Sequence, residues 1–161
     1  MTTRTRQLVL LRHAHALPPK PGQDDQLRAL SETGEAEADA AAAFLATHAA
    51  PERVLCSPAL RARQTAERVL AKLGYIDTRH DARIYEATPG TLIDAIEDHP
   101  EVHSLLLVGH NPGLESLVAL LATGRSGEYR GMPPGAVAVL RLPAGVALEP
   151  GSAELVEFWS P

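Results

Sequence analysis

Two stretches of the chain are almost continuously aliphatic, LVLL at 8–11 and LLLV at 105–108. Unbroken apolar runs this short suit strands covered on both faces, as in parallel sheets, where the usual alternation with polar residues disappears. Strands are therefore predicted over 7–11 and 104–108, with shorter ones over 53–56, 78–84, 136–142 and 154–159. Helical segments separate them. Ser31 stands where it can cap a helix over 32–48, whose first turn is acidic and whose body is alanine-rich. Pro58, Pro89 and Pro112 each stand at the start of a further helical segment, running to Gly74, to about 98 and to about 122. Residues 18–26 carry three prolines, a glycine and two aspartates and read as an irregular surface loop; the Gly/Pro-rich stretch 124–135 reads as another. The alternation of strand and helix predicts a three-layer α/β/α sandwich around a mostly parallel sheet.

Composition narrows the classes. A chain of 161 residues, 45% hydrophobic and 22% charged, fits one globular domain over 1–161. A formal net charge of -5 argues against a nucleic-acid partner, which calls for a basic face to neutralise phosphates. No apolar run reaches membrane-spanning length, the start MTTRTRQ lacks a signal-peptide core, and the single Cys56 has no intrachain partner. A cytoplasmic protein with no membrane partner is the expectation.

The chemistry gathers at strand ends, where open α/β sheets place their binding crevice. The segments LLRHAHA, VLCSPALRARQTA, RIYEATPG and LLLVGHNPG each leave a strand carrying polar groups: Arg12, His13 and His15; Ser57, Arg61 and Arg63; Glu86; His110 and Asn111. Parallel neighbouring strands would bring arginines and histidines into one volume, and a phosphoryl group is their natural counter-ion. Planar guanidinium forks match its oxygens and stay charged at any working pH. A neutral imidazole can attack phosphorus, and cationic neighbours disfavour imidazolium, so His13 beside Arg12 is the candidate nucleophile. Arg12, Arg61 and a protonated His110 would supply the positive charge that phosphoryl transfer needs, with no metal and no cofactor.

Arg12-His13 at a strand end, with SPALRARQTA and VGHNPG downstream, resembles the histidine phosphatase superfamily, the phosphoglycerate mutase-like group, over nearly the whole chain. The resemblance implies Arg12 and Arg61 as phosphate ligands, His13 as the phosphorylated histidine, His110 as the second catalytic histidine and Glu86 as a general acid. Arg-His-Ala, the segment DDQLRALSETG, the GHNP tetrad and the short chain look most like the phosphohistidine phosphatase branch.

Alone, each residue has a plainer reading. A single histidine in an apolar context is more often a satisfied core group; the flanking arginine and the two further motifs reverse that for His13. Arg61 is singled out from Arg63 and Arg68, which read as solvated helix residues, because it follows Ser57 by four positions at a helix N-terminus that favours anions. Asn111 and His15 are expected to line the substrate pocket, and a metal held by His13 and His15 lacks further ligands. Cys56 reads as a small core residue, and His48, His80, His99 and His103 as solvent-facing. The leading expectation is a phosphatase that dephosphorylates protein phosphohistidine in a shallow, exposed cleft. The alternatives are a phosphomonoesterase acting on a sugar or nucleotide phosphate, and a module that binds a phosphorylated partner without turnover.

Overall fold

The computed structural model describes residues 4–128 and 130–161. Its elements alternate: β1 (Thr5–Arg12), α1 (Glu32–His48), β2 (Arg53–Cys56), α2 (Leu60–Leu73), β3 (Asp77–His80), α3 (Pro89–Glu97), β4 (Ser104–Gly109), α4 (Gly113–Thr123), β5 (Val137–Pro143) and β6 (Glu154–Trp159). The six strands form one sheet in the order β3-β2-β4-β1-β5-β6. The first four are mutually parallel, while β5 runs antiparallel to both β1 and β6. The three-layer, mostly parallel arrangement read from the sequence is the observed one.

Side chains of the aliphatic strands alternate between two cores because successive Cβ atoms point to opposite faces. Leu8 and Leu10 of β1 and Leu105 and Leu107 of β4 face α3 and α4, where they meet Leu92, Ile96, Leu114, Leu117 and Leu121. Val9, Leu11, Leu106 and Val108 face α1 and α2 and meet Ala41, Ala42, Leu45, Ala62 and Val69. Each strand is thus covered on both sides, which explains why neither carries a polar alternate. The alanines let α1 and α2 lie close to the sheet and to each other.

The topology sets where a site can form. From β1 the chain crosses over α1 to β2, on one side of β4; from β4 it crosses over α4 to β5, on the other side of β1. The neighbours β1 and β4 therefore send their connections in opposite directions and to opposite faces. A crevice opens between their carboxyl ends, at the switch point where such sheets bind ligands.

Several boundaries differ from expectation for local reasons. Pro58 lies in a turn before α2, which begins at Leu60 with Ala59 as its N-cap. The strand expected over 78–84 stops at His80, and residues Ala82–Ile84 form a short 3-10 turn capped by the Asp81 carboxylate, which accepts from Arg83 N–H. Pro112 is the N-cap of α4 instead of its first helical residue, and the Asn111–Pro112 peptide is cis. His99 is not solvent-facing. It is buried, and its Nδ1 lies 2.9 Å from Arg53 Nη1. Beside it the buried Arg6 donates to the carbonyls of His99 (2.9 Å) and Val102 (3.1 Å) just beyond α3. A guanidinium buried this way is tolerated because its Nε and Nη2 donate to backbone carbonyls. Among the described residues no helix is long and apolar enough to cross a membrane.

The sequence places Gly34 in the first turn of α1 for a steric reason. A Cβ there would lie 2.0 Å from the backbone oxygen of His15. Gly34→Ala ordinarily stabilises a helix by about 1 kcal/mol, but this contact is with backbone, so overpacking by roughly 1–3 kcal/mol should win. The net loss of about 1–2 kcal/mol should appear in thermal melting as a Tm lower by about 2–8 °C; an unchanged or raised Tm would refute the close approach.

Candidate active site

The carboxyl end of β1 delivers Arg12 and His13, and that of β4 delivers His110. Backbone hydrogen bonds fix the junction: His13 N–H donates to Gly109 O (3.0 Å) and Arg12 N–H to Ala136 O (3.1 Å). The rings of His13 and His110 lie 5.0 Å apart between centroids. From the first turn of α2, Arg61 reaches the same volume with its side chain buried. These residues line one cleft of about 700 Å3 together with His15, Asp25, Arg28, Tyr85, Glu86 and Asn111. The volume lies within the range of small-molecule pockets, and His15 and Glu86 on the rim are exposed.

The imidazole of His13 is set in one tautomer. Its Nδ1 lies 2.7 Å from the Ala14 carbonyl, which can only accept, so Nδ1 carries the proton and Nε2 presents a free lone pair. Burial, and after it His110, Arg61 and Arg12, push the His13 pKa down to about 3 against the opposing bond to Ala14. Desolvation, more than the arginines, therefore keeps this ring neutral. The same applies to His110, lowered to about 4 first by burial and then by Arg61. His110 is therefore neutral near pH 7, and the imidazolium expected at that position needs a further anion close by. His110 Nε2 lies 2.7 Å from the hydroxyl of Ser57, which itself accepts from Ala59 N–H (3.2 Å), and this contact orients the ring.

The cations are held separately. Arg12 Nη1 donates to Met132 O at 2.8 Å, while its buried Nε has no protein partner among the described residues. Arg61 donates through Nη1 to Asp25 O (2.7 Å) and through Nη2 to Asp25 Oδ2 (2.9 Å). Two guanidinium groups lining one cleft beside neutral imidazoles suit an oxyanion.

Other expected residues divide. Asn111 lines the cleft, but its amide already bridges Met132 O (2.8 Å), Glu115 Oε2 (3.2 Å) and Glu115 N–H (3.2 Å), which gives it a structural task at the start of α4. His15 is tied to Ser31 Oγ at 2.7 Å and faces the rim. Glu86 is the one non-glycine at positive φ among the described residues (53°), a strained conformation of the kind that gathers at functional sites. Gly113, which ends the VGHNPG motif, allows that turn to approach: a Cβ there would lie 2.5 Å from Ala87 O. Cys56 is buried and its thiol is pushed up to about 12, consistent with a core residue. Arg63 bonds Pro58 O and Arg68 pairs with Glu35 and Asp39, and neither lines the cleft.

Sequence reasoning missed Asp25, Arg28 and Tyr85. Asp25 and Arg28 lie in the segment DDQLRALSETG that carries part of the resemblance, but only the fold brings Asp25 to Arg61.

Comparison with known proteins points the same way. Residues 8–92 match the family model described as histidine phosphatase superfamily (branch 1). An uncharacterized protein of Mycobacterium tuberculosis (strain H37Rv) is 39% identical over 163 residues, spanning 94% of this chain and 99% of its own length. Among solved structures, SixA of Agrobacterium tumefaciens, a phosphohistidine phosphatase candidate, superposes with a TM-score of 0.85 at 32% identity, covering 97% of this chain and 98% of that one. The protein histidine phosphatase SixA complexed with tungstate superposes with a TM-score of 0.81 at 27% identity, over 96% and 97% of the two chains.

Both site histidines titrate below the ordinary value of 6.5, so between that value and their folded pKa values near 3 and 4 the unfolded chain binds more protons. Their contribution to stability is complete above about pH 6.5 and is lost as the pH falls toward 4. Urea unfolding at pH 7.0 and 5.0 should show the decline, and His13→Asn should shallow it. A His13→Asn profile as steep as the wild type would contradict the assignment.

Proposed function

The chain belongs to the histidine phosphatase superfamily, as its three motifs led one to expect, and on that premise we propose that it hydrolyses protein phosphohistidine through a phosphohistidine intermediate at its own His13. Fold and relatives together support phosphatase activity. The observation that carries the mechanism is the His13 ring: neutral, with Nδ1–H held by Ala14 O and Nε2 free, beside Arg12 and Arg61.

Attack of Nε2 on phosphorus forms the N–P bond as the bond to the leaving group breaks, and the leaving group takes the electron pair. Arg12 and Arg61, both lining the cleft, neutralise the equatorial oxygens, where charge concentrates in phosphoryl transfer. A bound dianion adds negative charge to that of Asp25, raising the His110 pKa so that an imidazolium forms where it stabilises the transferring group. Water then attacks the phosphohistidine, its proton leaves to a base, and inorganic phosphate departs as His13 returns to neutrality.

Glu86 is the proposed proton donor and, after donation, the base for the water. An alkoxide leaving group needs that proton. A phosphohistidine whose distal ring nitrogen is already protonated leaves as neutral imidazole and needs it far less. The cleft volume of about 700 Å3 supports a second reading, a phosphomonoesterase for a small phosphorylated metabolite.

Hydrolysis of an aryl phosphate should persist in chelator and fall by at least about 10³ in His13→Ala. Tight phosphate binding without turnover in the wild type would instead favour a binding module. A phosphohistidine peptide set against a panel of sugar and nucleotide phosphates separates the two substrate readings by kcat/KM.

Glu86→Gln should lower kcat on an alkyl phosphate by about 10² or more, while changing turnover of the phosphohistidine peptide by less than about 10-fold. Equal losses on both substrates would remove the proton-donor role.

A further inference from the structure

Asp25 is a carboxylate set among the cations of the cleft, and three donors from different parts of the chain converge on it. Arg61 of α2 reaches both its backbone oxygen (2.7 Å) and Oδ2 (2.9 Å). Tyr85, the residue before Glu86, donates its hydroxyl to the same Oδ2 at 2.5 Å. Arg28, three residues along the loop, pairs with Oδ1 at 3.1 Å. These bonds hold the Asp25 carboxyl well below the usual carboxylate range, the one from Tyr85 contributing most, and the carboxylate in turn pushes the Tyr85 phenol up to about 12.

The adjacent aspartates divide two tasks. Asp24 closes its own turn, accepting from Gln26 N–H at 2.9 Å, so the charge of Asp25 is free to reach across the cleft. The loop that carries it is fastened at its base: Leu17 N–H donates to Ala29 O (2.8 Å), Arg28 Nε–H to Leu17 O (3.0 Å), and Leu30 N–H to Gln64 Oε1 of α2 (2.8 Å). The proline-rich segment is thereby a braced arm with Asp25 at its end. Arg61, only 6% exposed, has no hydrogen-bonded acceptor other than Asp25 among the described residues. A guanidinium has five N–H groups; two are used here, and the remainder stay available to a phosphoryl group.

We propose that Asp25 is a positioning residue that aims Arg61 at the phosphoryl group and, through Tyr85, ties the Glu86 turn to the same cradle. The inference deepens the phosphatase reading and rests on it for the role of Arg61. The opposite role is a competing anion that occupies Arg61 until substrate displaces it, and the two differ in the sign of their effect on oxyanion affinity.

Inorganic phosphate and vanadate binding, measured by calorimetry on the full chain, reads this without requiring turnover. Asp25→Ala leaves the backbone contact to Arg61 in place and removes only the carboxylate. It should weaken both ligands by about 10- to 100-fold, as a misaimed positioning group does. Asp25→Asn, which keeps an acceptor, should restore affinity to within about 3-fold of wild type. Tyr85→Phe should leave phosphate affinity unchanged while lowering kcat on an alkyl phosphate at constant KM. Thermal melts accompany each variant, and because Asp25 lies on a half-exposed loop their Tm values should stay close to wild type. Tighter binding in both Asp25 variants, or unchanged binding in Asp25→Ala, overturns the proposal, as does a wild type that binds neither ligand. If the affinity pattern appears but no substrate turns over, positioning stands and the phosphatase reading fails; turnover lost in His13→Ala with Asp25→Ala unaffected gives the reverse.

Discussion

Positive and potentially positive groups crowded at the ends of β1 and β4 repel one another, and that repulsion in a poorly hydrated crevice is the constraint on which the rest of the structure depends. Two features of the fold relieve it. His13 and His110 stay neutral because burial makes their charged forms unfavourable. Arg61, which cannot shed its proton, takes the Asp25 carboxylate as its counter-ion. A phosphoryl dianion relieves the same repulsion more completely, because it can accept from both arginines and from an imidazolium at once. The binding energy and the chemistry therefore have a common origin.

Rigidity follows from the same demand. The proposed nucleophile needs an aimed lone pair, and the His13 ring is fixed by a backbone carbonyl one residue away and by a strand buried on both faces. His110 is aimed by Ser57, itself fully buried at the end of β2. The continuous aliphatic runs at 8–11 and 105–108 are thus the mounting of the site. Two glycines serve it sterically: Gly34 lets the first turn of α1 meet the backbone of His15, and Gly113 lets the Glu86 turn meet the start of α4. The strain at Glu86 is stored where that turn overhangs the cleft.

The proposed reaction divides its demands between walls. β1, β4 and α2 hold the groups that meet the phosphoryl oxygens and phosphorus. The turn after β3 and the proline-rich loop hold Glu86, Tyr85, Asp25 and Arg28, which face the leaving group and the mouth. Such a division leaves substrate choice to the second set, because the first would treat any phosphoryl group alike. It also accounts for a cleft large enough for a metabolite whose rim is nonetheless exposed enough to meet a protein surface.

Much of this was legible in the chain. Ser31, the aliphatic runs and the proline and glycine punctuation located α1, β2, β4 and β6 within a residue or so, because those signals act within a few positions of the backbone. Arg12, His13, Arg61 and His110 could be grouped for a similar reason: each follows a strand, and parallel strands end together. The errors lay where a local signal met a competing neighbour. Pro58 was drawn into a turn by the Ser57 hydroxyl bonding Ala59, and the strand after 77 was cut short by the Asp81 cap. What the tertiary structure alone decided was charge and partnership. Whether His110 is protonated depends on how far packing buries its ring, and whether an aspartate in a polar loop meets an arginine 36 positions away depends on how that loop folds back. Both are properties of a packed volume, set by groups far apart along the chain, and no window of sequence contains them.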